Sequence, residues 1–349
     1  MRVIQAGVGG FGESWIWAVK NVGFEQVALV DTNPEVLARA GDAVGVPPER
    51  RFTSLEKALD SVEADGFLDV TPALLHVQNC RLALEHGLHV LCEKPMAENL
   101  PDAQEMVRLA REKQRVLMVT QQKRYENDPR HIRHLLDHGA IGEVDHLVVE
   151  FQIQGVMAGW RKEMRHPFLI DMAIHHFDLM RYLLNRKPVR VLAQSWNPKV
   201  SNTKGDMSAF ALIEFEGGVR VNYIGSFASP GMESGWNGRW SITGTHGSIV
   251  WNQKDEWGPI RLFRQDADTS QYTHQHFFEG LGWGETKQAP DIGAKGHHFD
   301  LYHWQRCIQE GHEPETSGRD NLHTLALTFA VMESGDSCRS VEIPLHLEL

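Results

Sequence analysis

The turn Gly7-Val8-Gly9-Gly10-Phe11-Gly12, directly after the run Val3-Ile4-Gln5-Ala6, constrains this chain more than any other segment. It satisfies G-x-G-x-x-G in a context where the pattern has mechanical meaning: after a strand (residues 2–6) and at the start of a helix (residues 12–21). Gly7 permits a tight turn, Gly9 lets the backbone approach a pyrophosphate, and Gly12 lets the helix pack closely on the strand. The helix N-terminus then offers N–H groups to phosphate oxygens. Gly7, Val8, Gly9, Gly10, Phe11 and Gly12 are therefore the expected phosphate-side lining of a dinucleotide site. Asp31, 19 residues beyond Gly12, ends the second strand. A carboxylate there accepts hydrogen bonds from a ribose 2′-OH and repels a 2′-phosphate. No arginine follows in Thr32-Asn33-Pro34, so Asp31 and Thr32 point to NAD rather than NADP.

From this start, strands and helices alternate. Strands are predicted at 26–30, 66–70, 88–92 and 115–120, with helices at 34–44, 54–60, 73–86 and 101–113 between them. Asn33 caps the helix at 34–44, and Pro34 takes its first position. Alternation without hairpin signals means right-handed βαβ crossovers and a parallel sheet. After about residue 121 the pattern changes. A long strand at 145–154 and a helix at 168–184 lead into strand-like segments at 189–196, 208–215, 219–227, 239–244, 248–251 and 260–263. Turn signals such as Glu216-Gly217-Gly218 and Gly244-Thr245-His246-Gly247 separate them, as in an antiparallel sheet. Helices return at about 295–310 and 319–335, and 265–294 reads as the longest loop. The expected architecture is α/β, with a Rossmann domain over residues 1–121. A substrate-binding and oligomerisation α+β domain follows over residues 122–349, built on a large, mostly antiparallel sheet.

A chain of 349 residues is too long for one ordinary core, which fits two domains. Its net charge of −11, with acids and bases interspersed, leaves no basic stripe for nucleic acid. No apolar run reaches the roughly 18–20 residues that span a bilayer. The opening Met1-Arg2-Val3-Ile4 enters a strand at once, without the layout of a signal peptide. Cys80, Cys92, Cys307 and Cys338 form no C-x-x-C pair, so neither a zinc knuckle nor a disulfide framework is expected, and a reducing cytoplasm fits best. Histidines group tightly only at His274-x-His276 and His297-His298; neither has metal-site spacing, and no metal is expected.

Two further segments carry chemistry. Glu93-Lys94-Pro95 stands at the carboxyl end of the strand at 88–92, where parallel sheets bind ligands, so Lys94 is expected to enter that crevice. From there its ammonium can orient a substrate hydroxyl or relay its proton. A cis Lys94–Pro95 peptide would turn the side chain that way. Asp171 and His175 stand at i and i+4 on the predicted helix, one turn apart on one face. An acid and an imidazole so paired can orient a hydroxyl and accept its proton. Asp178, farther along, fits an anchor of the helix.

With these features in chain order, the sequence resembles the glucose–fructose oxidoreductase / inositol dehydrogenase / rhizopine catabolism (Gfo/Idh/MocA) family. The match rests on the glycine turn at Gly7, on Asp69-Val70-Thr71-Pro72 with His76, on Glu93-Lys94-Pro95, and on Asp171-x-x-x-His175-x-x-Asp178. It covers essentially the whole chain, including the closing Val341-Glu342-Ile343-Pro344 strand. The resemblance implies NAD as cofactor, and Lys94, His175 and Asp171 as catalytic residues that also contact substrate beside Arg124. It implies a cofactor lining that includes Thr71, Pro72, His76, Glu93, Lys94, Gln122 and the Trp160-Arg161 pair. The family usually has Gly-Gly before the Asp and Gly between Asp and His. Here Phe168-Leu169-Ile170 and Ala173 stand there, which implies a bulkier pocket wall.

The implied reaction is hydride transfer between nicotinamide and a secondary alcohol of a sugar, cyclitol or related polyol. Two alternatives stay open. One is an enzyme with tightly bound NAD that uses transient oxidation for elimination or glycoside cleavage. The other is a non-catalytic NAD-binding regulator, which would be expected to lose Lys94 or His175. Trp236, Trp240, Trp257 and Trp283 fit either a sugar-stacking surface or a core. An uncovered face on the second sheet implies a homodimer or homotetramer.

Overall fold

The computed structural model describes residues 1–231, 233–254, 260–264, 285–287 and 296–347. The expected loop at 265–294, Trp257, Trp283, His274 and His276 lie outside the described residues, apart from a short strand at Glu285–Lys287.

Strands β1 (Arg2–Ala6), β2 (Glu25–Val30), β3 (Arg51–Phe52), β4 (Gly66–Asp69), β5 (His89–Cys92) and β6 (Leu117–Val119) form one sheet in the order β3-β2-β1-β4-β5-β6. Every neighbouring pair is parallel. This is the doubly wound Rossmann order, whose direction of winding reverses between β1 and β4. Crossovers run through α1 (Gly12–Asn21), α2 (Pro34–Val44), α3 (Leu55–Ser61), α4 (Ala73–Glu85) and α5 (Leu100–Glu112). Local chemistry sets the helix starts: Asn33 Oδ1 accepts from the N–H groups of Glu35 and Val36, and Asn99 Oδ1 from that of Asp102. The Lys94–Pro95 peptide is cis, as expected.

The chain divides into two compact units, and the first is not continuous in sequence. It joins Met1–Tyr125 to the stretch that holds helix α8 (His297–Glu310), a stretch expected in the second domain. The reason is packing. Leu301 and Trp304 are fully buried in one cluster with Val3, Trp15, Leu68, Leu91, Met118 and Tyr125. Gly66 on β4 makes room, since a Cβ there would collide with the Trp304 ring. Burying a large aromatic side chain of this kind is worth roughly 1.5–3 kcal/mol.

The second unit holds β7 (Val144–Gln152), β8 (Pro188–Trp196), β9 (Ser208–Phe215), β10 (Arg220–Ser226), β11 (Arg239–Gly244), β12 (Gly247–Asn252), β13 (Ile260–Arg264), β14 (Glu285–Lys287) and β15 (Val341–Glu342). They form a sheet in the order β14-β13-β12-β11-β7-β10-β9-β8-β15. The sheet is mixed rather than wholly antiparallel, because β10 pairs with β7 in parallel. Two antiparallel steps, β8 to β9 and β9 to β10, return the chain to the direction of β8. The segment carrying α7 (Ile174–Leu184) therefore acts as a crossover between the parallel strands β7 and β8. One face packs on α7, where Tyr223 meets Phe177 and His176, and on the segment before it, where Phe151 meets Phe168. The other leaves Val148, Leu192, Phe210 and Leu212 exposed. Helix α6 (Asn127–Asp137) was not read from the sequence; α9 (Gly318–Ser337) was. Among the described residues no helix is long and apolar enough to cross a membrane.

The predicted helix at 168–184 is two structures. Leu169–Ala173 is a π-helical turn, and the α-helix begins only at Ile174. Asp171 thus sits in the wider turn. Four residues still bring a side chain back to nearly the same face, so the Asp171–His175 spacing keeps its sense.

Candidate active site

The glycine turn fits a dinucleotide. Gly7 has φ +79, and a Cβ on it would run into the Val70 carbonyl at the end of β4, so the turn closes against the neighbouring strand where the winding reverses. A Cβ on Gly12 would collide with the Gly7 carbonyl. The Gly7 N–H donates to Val30 O, and the Val8 N–H to Asp31 Oδ2. The N–H groups of Gly12, Glu13 and Ser14 turn back on the carbonyls of Gly9, Gly10 and Phe11. Among the described residues, the N–H groups of Gly9, Gly10 and Phe11 meet no protein acceptor. That exposed run of donors is what a pyrophosphate needs.

Asp31 receives N–H groups from both sides, Val8 at 3.1 Å and Asn33 at 3.0 Å. Each oxygen keeps a second lone pair for a ribose hydroxyl. The adjoining Thr32 is exposed. Gln5 is a residue the sequence reading missed. Its buried Nε2 donates to the carbonyls of Gly7 at 3.1 Å and Gly12 at 3.0 Å, holding both ends of the turn. A lone amide inside an apolar strand was the available signal.

Lys94 is half-buried at the carboxyl end of β5. The preceding Glu93 is buried. Its Oε2 accepts from the Lys94 N–H at 3.0 Å and its Oε1 from Trp15 Nε1 at 3.0 Å. Burial pushes the Glu93 carboxyl up from its ordinary value, partly offset by the Lys94 charge and the Thr120 hydroxyl. Glu93 is thus a holder of the Lys94 backbone rather than a surface the cofactor could meet. His76 is likewise buried, with both ring nitrogens on backbone carbonyls, which removes it from the expected lining. Thr71 bonds Asp69 through its hydroxyl at 2.6 Å, and Pro72 is exposed at the start of α4. Gln122 is half-buried. Arg124 cannot serve as the expected substrate contact. Its guanidinium is buried and spent on Asp320 at 2.6 Å and the Glu315 carbonyl at 3.2 Å. His297 stacks on Trp15 at 4.0 Å; burial, then His298, lower its pKa to about 4.

In the second unit the structure brings the Trp160-Arg161 pair, which the sequence read as cofactor lining, onto Asp171. Arg161 Nε lies 3.4 Å from Asp171 Oδ2, and its guanidinium stands over the Trp160 ring. His175 is buried near the start of α7, and its neighbour His176 turns to the Tyr223 hydroxyl at 2.9 Å. Phe168, Leu169, Ile170 and Ala173, which stand where the family usually has glycines, are all buried, and the Phe168 ring stacks with Phe151. Trp240 is buried too, with Nε1 on the Asn237 carbonyl, whereas Trp236 is exposed.

Residues 1–121 match a family model described as "Oxidoreductase family, NAD-binding Rossmann fold", and residues 130–250 match the GFO/IDH/MocA C-terminal domain. A D-apiose dehydrogenase of Paraburkholderia graminis is 30% identical over 347 residues, spanning 97% of this chain and 88% of that protein. The chain belongs to the Gfo/Idh/MocA family. Its members are NAD-binding oxidoreductases, and this chain carries their Rossmann domain. A 1,5-anhydro-D-fructose reductase of Ensifer adhaerens is 26% identical, with 98% of each chain covered. Among solved structures, an oxidoreductase from Agrobacterium radiobacter, in complex with NAD+, L-tartaric acid and magnesium, shares the fold. Its TM-score is 0.84 at 24% identity, over 98% of each chain.

Proposed function

We propose that this Gfo/Idh/MocA oxidoreductase is a dehydrogenase acting on a secondary alcohol of a sugar, cyclitol or related polyol. The observation that carries the reading is Lys94, held by Glu93 at the carboxyl end of β5 in the unit that also bears the glycine turn. The substrate class is supported by relatives named for D-apiose and 1,5-anhydro-D-fructose. When bound, NAD supplies the hydride acceptor. The chain supplies the rest. N–H groups of Gly9, Gly10 and Phe11 bind the phosphates, and Asp31 binds the ribose. His175 accepts the hydroxyl proton as the carbinol carbon is oxidised. Lys94 orients that hydroxyl, and Asp171 acts beside His175.

The test is NADH absorbance with a panel of sugars, sugar acids and inositols. Turnover with at least one of them supports the reading. Substrate consumption without an absorbance change favours NAD that stays bound. Neither signal across the panel, with NAD binding intact, favours a non-catalytic NAD-binding protein.

A further inference from the structure

His76 is 1% exposed on α4, and both ring nitrogens face carbonyl oxygens. Nδ1 lies 2.8 Å from Pro95 O, and Nε2 lies 2.8 Å from Thr71 O. A carbonyl oxygen can only accept. Neutral imidazole has one N–H and one bare nitrogen, so either tautomer would set lone pair against lone pair at one of these short contacts. Turning the ring over would put C–H groups where the nitrogens stand. Only the imidazolium donates to both.

The surroundings suit a buried cation. Asp69, at the end of β4, is a buried carboxylate that also accepts from the Thr71 N–H at 3.1 Å and hydroxyl at 2.6 Å. The other titratable neighbours are Cys92 at the end of β5 and Cys80 on α4, with Glu93 and Lys94 following Cys92. Burial alone would lower the His76 pKa. Cys92, Asp69 and the Pro95 carbonyl outweigh it and take the value up to about 10.

The ring therefore joins the turn after β4, at Thr71, to the turn after β5, at Pro95. The Lys94 backbone runs between two fixed points: its own N–H on Glu93 Oε2, and the next residue's carbonyl on His76. We infer that His76 is a positioning residue for Lys94, a buried imidazolium strap across the ends of two adjacent strands. This rests on the reading of Lys94 as catalytic.

Two measurements test it. Long-range proton–nitrogen NMR on the unmodified protein reads the ring directly, assigned through its contact with Pro95. Both His76 nitrogens are expected to be protonated at about pH 8, where an ordinary histidine of pKa ~6.5 is neutral. A neutral ring there overturns the strap. The second is turnover per folded molecule for His76→Gln, Lys94→Ala and the double variant. His76→Gln is expected to lower kcat on the order of 10- to 100-fold, the scale of an ångström-sized misplacement. In the Lys94→Ala background the same change should cost less than about twofold, because its effect passes through Lys94. An equal loss in both backgrounds means His76 only supports the fold, and the inference fails. Wild-type turnover by Lys94→Ala removes the catalytic reading of Lys94 and the positioning role with it, while the NMR result still reports the ring's charge. That separates the two failures, and the NMR arm decides the strap even if His76→Gln does not fold.

Discussion

Arg161 Nε lies 3.4 Å from a carboxylate oxygen of Asp171, and the same guanidinium stands 4.7 Å from the centre of the Trp160 ring. Both partners of the ion pair are partly exposed, so water screens it, and a pair of this kind adds only about 0.2–1 kcal/mol to stability. Under the proposed function its use is orientation: the Trp160 face would steady the guanidinium, which would steady Asp171 one helical turn before His175. Arg161→Ala should therefore leave the melting temperature nearly unchanged and cut turnover on the order of tenfold. Arg161→Lys should fall between, since an ammonium neither stacks nor forks. Unchanged turnover in Arg161→Ala, measured with a good substrate, would leave the pair as surface decoration.

Cofactor choice turns on Asp31. The double change Asp31→Ser with Thr32→Arg removes the repulsive carboxylate and adds a partner for a 2′-phosphate. NAD affinity should fall by about 10- to 100-fold, the worth of a charged hydrogen bond, and NADP should bind. Part of the loss will come from the Val8 and Asn33 N–H groups that Asp31 now holds. Equilibrium titration of both nucleotides checks this. An unmodified protein that already prefers NADP defeats the argument.

In the proposed reaction His175 and Lys94 serve one proton transfer. His175→Ala should lower turnover by roughly 10²–10⁴-fold, the usual range for loss of a general base. NAD affinity should barely move, because the glycine turn and Asp31 belong to the other unit. Groups that act together are not additive, so the double variant with Lys94→Ala should be little worse than the worse single one. Normal turnover by His175→Ala across the pH range shifts the base to Lys94 alone.

Asp300 gives a stability prediction with a definite sign. It is fully buried, and neither carboxyl oxygen has a hydrogen-bond partner among the described residues. Burial, reinforced by Glu93, holds its pKa well above the ordinary value. An acid whose folded pKa is raised binds its proton more tightly folded than unfolded. Its contribution is complete below the unfolded value of about 4 and is lost as pH rises through the folded value. Asp300→Asn, which cannot ionise, should therefore be more stable than the parent at neutral pH, by roughly 1–3 kcal/mol, with the gap closing toward acid. Denaturant melts at several pH values measure it; a gap that widens as pH falls contradicts the assignment.

Assembly is expected through the outer face of the second sheet. Leu192, Phe210 and Leu212 stand out on the adjacent strands β8 and β9, Val148 stands out on β7 across the intervening β10, and Trp196 leans on Phe210 at 4.6 Å. An apolar face of this kind is what two copies related by a two-fold axis would bury, so the expected occupant is a second copy of this chain. Sedimentation at micromolar concentration should show a dimer or a dimer of dimers, and Phe210→Lys with Leu212→Glu should yield monomer. A monomeric parent rules the interface out.

Local pattern was enough for the Rossmann half. Strand and helix periods, the Asn33 cap, the glycine turn and the strand-end places of Asp31 and Lys94 all follow from residues close together in sequence, because turns, caps and amphipathic faces are short-range physics. The same reasoning found the segment carrying Asp171 and His175, yet missed that it opens with a π-turn, since Leu169, Ile170 and Ala173 are pulled inward by core packing. Tertiary structure alone decided the rest. Trp304 belongs to the first unit because Gly66, more than two hundred residues earlier, leaves a place for its ring. Arg124 became a buried tie because Asp320 meets it, and β10 runs parallel to β7 because two antiparallel steps, β8 to β9 and β9 to β10, bring the chain back beside it. His76 was visible as a histidine near a strand end. That it is a charged strap depends on two carbonyl oxygens from different turns, and such distances exist only once the chain has folded.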